Sequence, residues 1–127
     1  MITIDDIKSR LETFGYTFDE TADTKAVTYA QGKAEAHILN VINDTVIPEE
    51  IKHAATDAIC AEFLSLKKGT GQLPEDMIET VVKSVKLGDT SITLDESASV
   101  EQQFDAIIHS MLNYHSDDFI RFRKLVW

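Results

Sequence analysis

Apolar side chains recur along this chain at helical spacing. Ile4, Ile7, Leu11 and Phe14 return every three or four residues, which lines one face of a helix with 3.6 residues per turn. The pattern predicts a first helix from Ile4 to Phe14. Thr3 caps it, Asp5 and Asp6 sit in the first turn where the helix dipole favours acids, and Gly15 stops it. A second stripe of Val27, Ala30, Ala34, Ile38, Val41 and Ile42 predicts a helix from Thr24 to Asn43, capped by Asp23 or Thr24. Its small residues Ala26, Ala30, Ala34 and Ala36 admit a close neighbour. A third helix starts at Pro48, in the first-turn position that proline tolerates, followed by Glu49 and Glu50. Its apolar face is Ile51, Ala55, Ala58, Ile59, Phe63 and Leu66; Lys67 and Lys68 complement its last turn and Gly69 breaks it. These second and third helices are expected to form the central pair of the core. A last helix runs from Val100 to Asn113, with Ser99 and Gln102 as a capping box and Phe104, Ile107, Ile108, Met111 and Leu112 as its buried stripe.

The stretch from Leu73 to Leu94 reads two ways. Pro74, Glu75 and Asp76 open a helix carrying Ile78, Val82 and Val85. Alternatively, Gly88-Asp89 is a two-residue hairpin loop that sets Leu87 opposite Thr90, Val85 opposite Ile92 and Lys83 opposite Leu94. Val85, Leu87, Ile92 and Leu94 then share one face, and Ser84, Lys86, Ser91 and Thr93 share the other. That alternation favours a hairpin over 81–94. The expected fold is thus mainly α, a small bundle of about four helices with one β-hairpin and a C-terminal tail from His115 to Trp127, all in one domain over residues 1–127.

Composition narrows the function. The net charge of −10 argues against wrapping nucleic acid, which needs Lys and Arg to displace counterions. No apolar run approaches the roughly 20 residues that span a bilayer, so no membrane partner is expected. The acidic start, Met1-Ile2-Thr3-Ile4-Asp5-Asp6, reads as the native start of a cytoplasmic chain. Cys60 is the lone cysteine, which fits a reducing compartment, and its apolar neighbours mark it as a core residue. His37, His53, His109 and His115 are scattered without ligand spacing, so neither a metal nor a catalytic group is expected. Gly69-Thr70-Gly71-Gln72 lacks the Gly-Lys-Ser/Thr ending of a phosphate loop, and no other cofactor motif is present.

The closing segment is the most unusual part of the sequence. Phe119, Arg121, Phe122, Arg123, Lys124 and Trp127 interleave aromatics with bases in a stretch that holds no acid. Trp, Phe and Arg are the residue types that anchor interfaces. The segment either folds back on its own core, docks on a partner protein or meets an anionic surface. Three cations without a lipid anchor make the last the weakest of these.

Several segments, in order, resemble a known family. They are Val46-Ile47-Pro48-Glu49-Glu50-Ile51, Ala58-Ile59-Cys60-Ala61-Glu62-Phe63-Leu64, Val82-Lys83-Ser84-Val85-Lys86-Leu87-Gly88-Asp89-Thr90, Phe104-Asp105-Ala106-Ile107-Ile108 and the basic tail with its final tryptophan. Together they resemble the small head–tail connector (head-completion) proteins of phages and prophages of Gram-positive bacteria. The resemblance covers most of the chain and rests on the order of the pieces; the region through about Asp23 is its least diagnostic part. It implies a helical bundle with a hairpin, assembled as a ring, a dodecamer in similar proteins, beneath the portal of a virion. Such a ring extends the DNA channel, and DNA passes through without sequence-specific binding. An acid-lined channel repels the DNA backbone and lets it slide. The implied partners are the portal and the next connector or tail protein. On this reading Phe119, Arg121, Phe122, Arg123, Lys124 and Trp127 meet the portal, while Val85, Leu87, Gly88, Asp89, Ile92 and Leu94 contact a neighbouring subunit. Two other classes stay open: a small helical interaction or regulatory protein that docks one partner through the same tail, and an enzyme whose site is too dispersed to read.

Overall fold

The computed structural model describes residues 2–21, 23–88 and 97–114. Among these residues the chain forms five α-helices and one 3-10 turn, with no strand. The helices are α1 (Ile4–Thr13), α2 (Thr24–Ile42), α3 (Lys52–Gly69), α4 (Glu75–Gly88) and α5 (Val100–Tyr114), and the 3-10 turn is Glu49–Ile51. The mainly α class expected from the apolar periodicity is what the structure shows.

The caps explain several boundaries. At α1 the Thr3 hydroxyl accepts from the Asp6 N–H at 3.1 Å, and the Asp6 carboxylate accepts from the Thr3 N–H at 3.0 Å. Two orphan donors of the first turn are thereby satisfied. Ser99 and Gln102 repeat the arrangement at α5, at 3.1 and 3.2 Å. The chain leaves α1 through Gly15, at φ +84°, whose N–H donates to the Glu12 carbonyl while the Tyr16 N–H reaches back to Leu11. Gly71, at φ +71°, ends α3 in the same way, donating to Lys68 while Gln72 donates to Lys67. The stop is therefore Gly71 and not Gly69, which remains helical. Pro48 does not open an α-helix: it precedes the 3-10 turn, and regular helix begins only at Lys52.

The hairpin expected over 81–94 is not formed. Val81–Gly88 is the second half of α4, and the reason is visible in its burial pattern. Ile78, Val81, Val82 and Val85 are all buried, at i, i+3, i+4 and i+7. A strand would send the adjacent Val81 and Val82 to opposite faces; a helix puts both against α5 and the core. The period-two alternation at Val85 and Leu87 is incidental to this stronger pattern. Asp89, Ile92 and Leu94, the returning arm of that expected hairpin, lie outside the described residues.

α3 is the centre of the fold. It packs against α1, α2 and α5, with its closest partnership to α2, as expected for the central pair; α4 joins through α5. Ala55, Ile59, Cys60, Ala61, Phe63 and Leu64 are fully buried on several sides of α3, which is the pattern of a helix surrounded by others. The ion pair of Asp6 with Lys52 and that of Arg10 with Asp57 show that α1 runs alongside α3 in the same direction. Asp23 with Lys67 and Lys33 with Glu62 show α2 running opposite to α3, and Lys68 with Asp105, with Leu112 beside Ala58, shows the same for α5. Ile4, expected on the inner stripe of α1, is 38% exposed; Ile2 is buried instead.

Candidate functional site

The most highly organised polar group lies inside the fold. Asp23 is 2% exposed and carries a charge into the core. Its side chain does not cap α2. It turns inward, where Oδ1 accepts from Lys67 Nζ at 2.7 Å. Oδ2 accepts from the Tyr16 hydroxyl at 2.7 Å and from the Asp19 N–H at 3.0 Å. Lys67 also donates to Gln72 Oε1 at 3.3 Å, and the Tyr16 ring stands edge-on to Phe63 at 5.4 Å. Burial alone would raise the Asp23 carboxyl pKa, but Lys67, the Asp19 N–H and Tyr16 together hold it below its ordinary value. The Tyr16 hydroxyl is pushed up by burial and by its bond to the Asp23 carboxylate. Every partner here is engaged, so the cluster acts as a clasp that fixes the α1–α2 connection to the end of α3. Lys67 lies one turn beyond Phe63 and Leu64 on an inner face of α3. That position is the one sequence signal that it is not a surface helix-end cation.

A polar cleft of about 610 Å³ runs between α1 and the start of α3. Arg10 holds Asp57 in a bidentate pair, at 2.6 Å from Nε and 3.3 Å from its terminal nitrogen, and its guanidinium stacks on Phe14 at 4.5 Å. Lys52 faces Asp6 at 3.5 Å, and exposed His53 lines the same cleft. The Thr13 and Thr56 hydroxyls donate to carbonyl oxygens one turn back, which engages their protons. Cys60 is fully buried beneath α1, and burial together with the nearby Asp57 charge pushes its thiol pKa up, away from the reactive thiolate. Cations and carboxylates in this cleft meet each other, which leaves it near electroneutral.

A third feature is a mostly apolar groove of about 300 Å³ at the end of the fold where α2 stops and α3 begins. Ile2, Leu39, Val46 and Ile47 form its walls, with Glu35, Glu49 and Lys52 at its edge. Val46 is 68% exposed, more than the other large apolar side chains left at the surface of the described residues. Sequence reasoning missed this groove because its walls come from the start of α1, the outer flank of α2 and the loop before the 3-10 turn. None of these is a periodic stripe.

Of the partner-contact residues expected from the sequence, Val85, Leu87 and Gly88 are among the described residues. Val85, expected to contact a neighbouring subunit, is instead buried on α4, 3% exposed, and packs in the chain's own core. Leu87 and Gly88 close α4. Phe119, Arg121, Phe122, Arg123, Lys124 and Trp127 lie outside the described residues, as does His115. Among the described residues no group of three His, Cys, Asp or Glu side chains is placed to hold a metal ion, and no helix is long and apolar enough to cross a membrane. No family model, curated protein or solved structure matches this chain.

Proposed function

We propose that the protein is a structural subunit of a phage head–tail connector, one that joins a portal and extends its DNA channel as part of a homo-oligomeric ring. The observation that carries this reading is the ordered run of segments resembling the connector family. The described parts of those segments are the 3-10 entry into α3, the buried middle of α3, the second half of α4 and the inner face of α5, with α5 packed on both α3 and α4. The charge of −10 supports a role beside DNA without gripping it. The mainly helical architecture agrees with what the resemblance implies. The hairpin part of that expectation is withdrawn, and Val85 belongs to the subunit's own core. In this reading the protein performs no turnover: it works by shape, charge and contacts in a virion assembled in the host cytoplasm.

The test is direct. The purified chain is mixed with the portal protein encoded beside it, and particles are imaged by electron microscopy. An added ring of density beneath the portal is the expected result. Portal particles that remain bare over a wide range of chain concentration, or a chain encoded away from any portal and capsid gene, would sink the reading.

A further inference from the structure

The apolar groove at Ile2, Leu39, Val46 and Ile47 is the surface feature that most needs an occupant, and the chain itself contains a segment of matching chemistry. We propose that residues 119–127 of one copy dock into this groove on a second copy. This gives the segment a different address from the portal contact expected from the sequence. It rests on the ring reading only for the closure of the repeated contact.

Three observations point the same way. The first is chemistry. The segment offers Phe119, Phe122 and Trp127 together with Arg121, Arg123 and Lys124 and no acid, while the groove offers apolar walls edged by Glu35, Glu49 and Lys52, the lysine being paired with Asp6 at 3.5 Å. Aromatic anchors in an apolar pocket with charge pairs at the rim is the usual anatomy of a specific interface. A volume of about 300 Å³ suits a few side chains and not a folded domain.

The second observation is height. α5 runs opposite to α3, so it delivers the chain to the end of the fold where α3 begins. The groove sits at that same end, beside Glu49 and Lys52. Residues 115–118 span at most about 14 Å when extended, which keeps the segment near that level.

The third is side. Glu35 and Leu39 project from one flank of α2 toward the groove. Lys33 and His37 project from the opposite flank, where Leu112 of α5 lies. Successive residues turn by about 100° around a helix, which separates these two flanks by roughly half a turn across the buried Ala34 and Ile38. Donor and acceptor thus occupy opposite flanks at one height. Docking within one chain would need the segment to pass around α2 or over the loop that follows it, whereas a lateral neighbour meets it directly. Two different patches in contact make a heterologous interface, the kind that repeats around a ring when its rotation closes.

Cysteine cross-linking of the full chain tests this. Copies carrying Val46→Cys are mixed with copies carrying Val126→Cys, which keeps the aromatic anchors, and mildly oxidised; Cys60 is buried and stays silent. The exposed position of Val46 leaves the fold intact in that variant. A mixed disulfide dimer is expected, well above a control pair of Val46→Cys with Lys25→Cys, and weakened when Glu49→Lys reverses the rim charge. A chain carrying both cysteines should give linked multimers. A closed monomeric loop, a Val46→Cys homodimer as the main product, or no link above the control overturns the proposal. So does a segment that cross-links to the portal while copies on the portal do not link to each other; that outcome leaves the connector reading standing. Copies that link normally yet never join a portal sustain the docking and remove the connector reading instead.

Discussion

Lys67 occupies a position on α3 where its helical neighbours are Phe63 and Leu64, and its side chain is 8% exposed. A charge there is tolerated only because Asp23 meets it and Tyr16, Asp19 and Gln72 saturate the remaining polar atoms. Lys67→Met should lower stability by on the order of 3 kcal/mol in urea unfolding, because it leaves the Asp23 carboxylate buried and unpaired. Adding Asp23→Leu to Lys67→Met should return part of that loss, since no orphan charge remains. The pH sign follows from the depressed Asp23 pKa. A carboxylate bound more tightly to its charge in the folded state contributes stability above its unfolded pKa of about 4. That contribution disappears as pH falls through the lower folded value. Asp23→Asn should therefore flatten the acid limb of stability against pH below about 4, measured by urea midpoints across that range. Gly15 is the other residue whose identity is forced. At φ +84° a side chain is strained, and a Cβ there would stand 2.6 Å from Ser84 Oγ and 2.7 Å from Thr80 Cγ2 on α4. Gly15→Ala should cost about 1–3 kcal/mol, read as a lower midpoint of thermal unfolding.

At the scale of elements, α4 shows how a local pattern can mislead. The Leu87-Gly88-Asp89-Thr90 run carries strong turn chemistry, and alternation from Val85 to Leu94 imitates a strand pair. What decides is the upstream set Ile78, Val81, Val82 and Val85, which only a helix can bury together. Carbon chemical shifts for Val81–Leu87 should accordingly be helical in solution; extended shifts there would contradict the fold. α2 supports a second expectation. Gly32 sits in the middle of this helix, exposed, and a Cβ there meets nothing within 4 Å. Gly32→Ala should then raise stability by about 1 kcal/mol, since glycine loses more backbone freedom on folding and alanine fits without strain. A neutral or negative change would mean that Gly32 serves some purpose the isolated fold does not display.

For the whole molecule, charge sets the terms of assembly. With −10 per chain, identical copies repel at low salt unless a partner or a local basic segment offsets the repulsion. The isolated chain should therefore sediment at low salt as a monomer or a weak oligomer, and under the proposed connector role a ring should form on a portal template. A stable dodecamer of the isolated chain at low salt would remove the need for a template, though not the connector reading. Residues 119–127 carry three of the chain's twelve bases and no acid, so the docking proposed for them on a neighbour and the repulsion of the bodies belong to a single balance. Raising salt weakens both at once.

Four of the five α-helices were legible from the apolar stripes, along with the Thr3 and Ser99 caps, the Gly15 stop and the pairing of α2 with α3. These are local features: period, cap chemistry and left-handed glycines depend on residues within a turn or two of one another. The helical end of α4 is also written in its valines, but the alternation from Val85 to Leu94 competes with them locally, and only packing against α5 and the core decides between the two. No local signal distinguishes a lysine that ends a helix in water from one that ends it in a clasp. Lys67 and Asp23 stand far apart in sequence, and only the antiparallel docking of α2 on α3 makes them neighbours. The groove is likewise a product of tertiary structure alone, since Ile2, Leu39 and Val46 share no period and meet only because the entry to α1, the end of α2 and the loop before α3 lie at one level. Composition and periodicity are enough to argue for a mainly helical, acidic chain, because charge and apolar period survive without coordinates. Which side chains are buried with a charge, and which apolar ones remain open to a partner, were decided by how the helices pack, because burial is a property of neighbours and not of the residue itself.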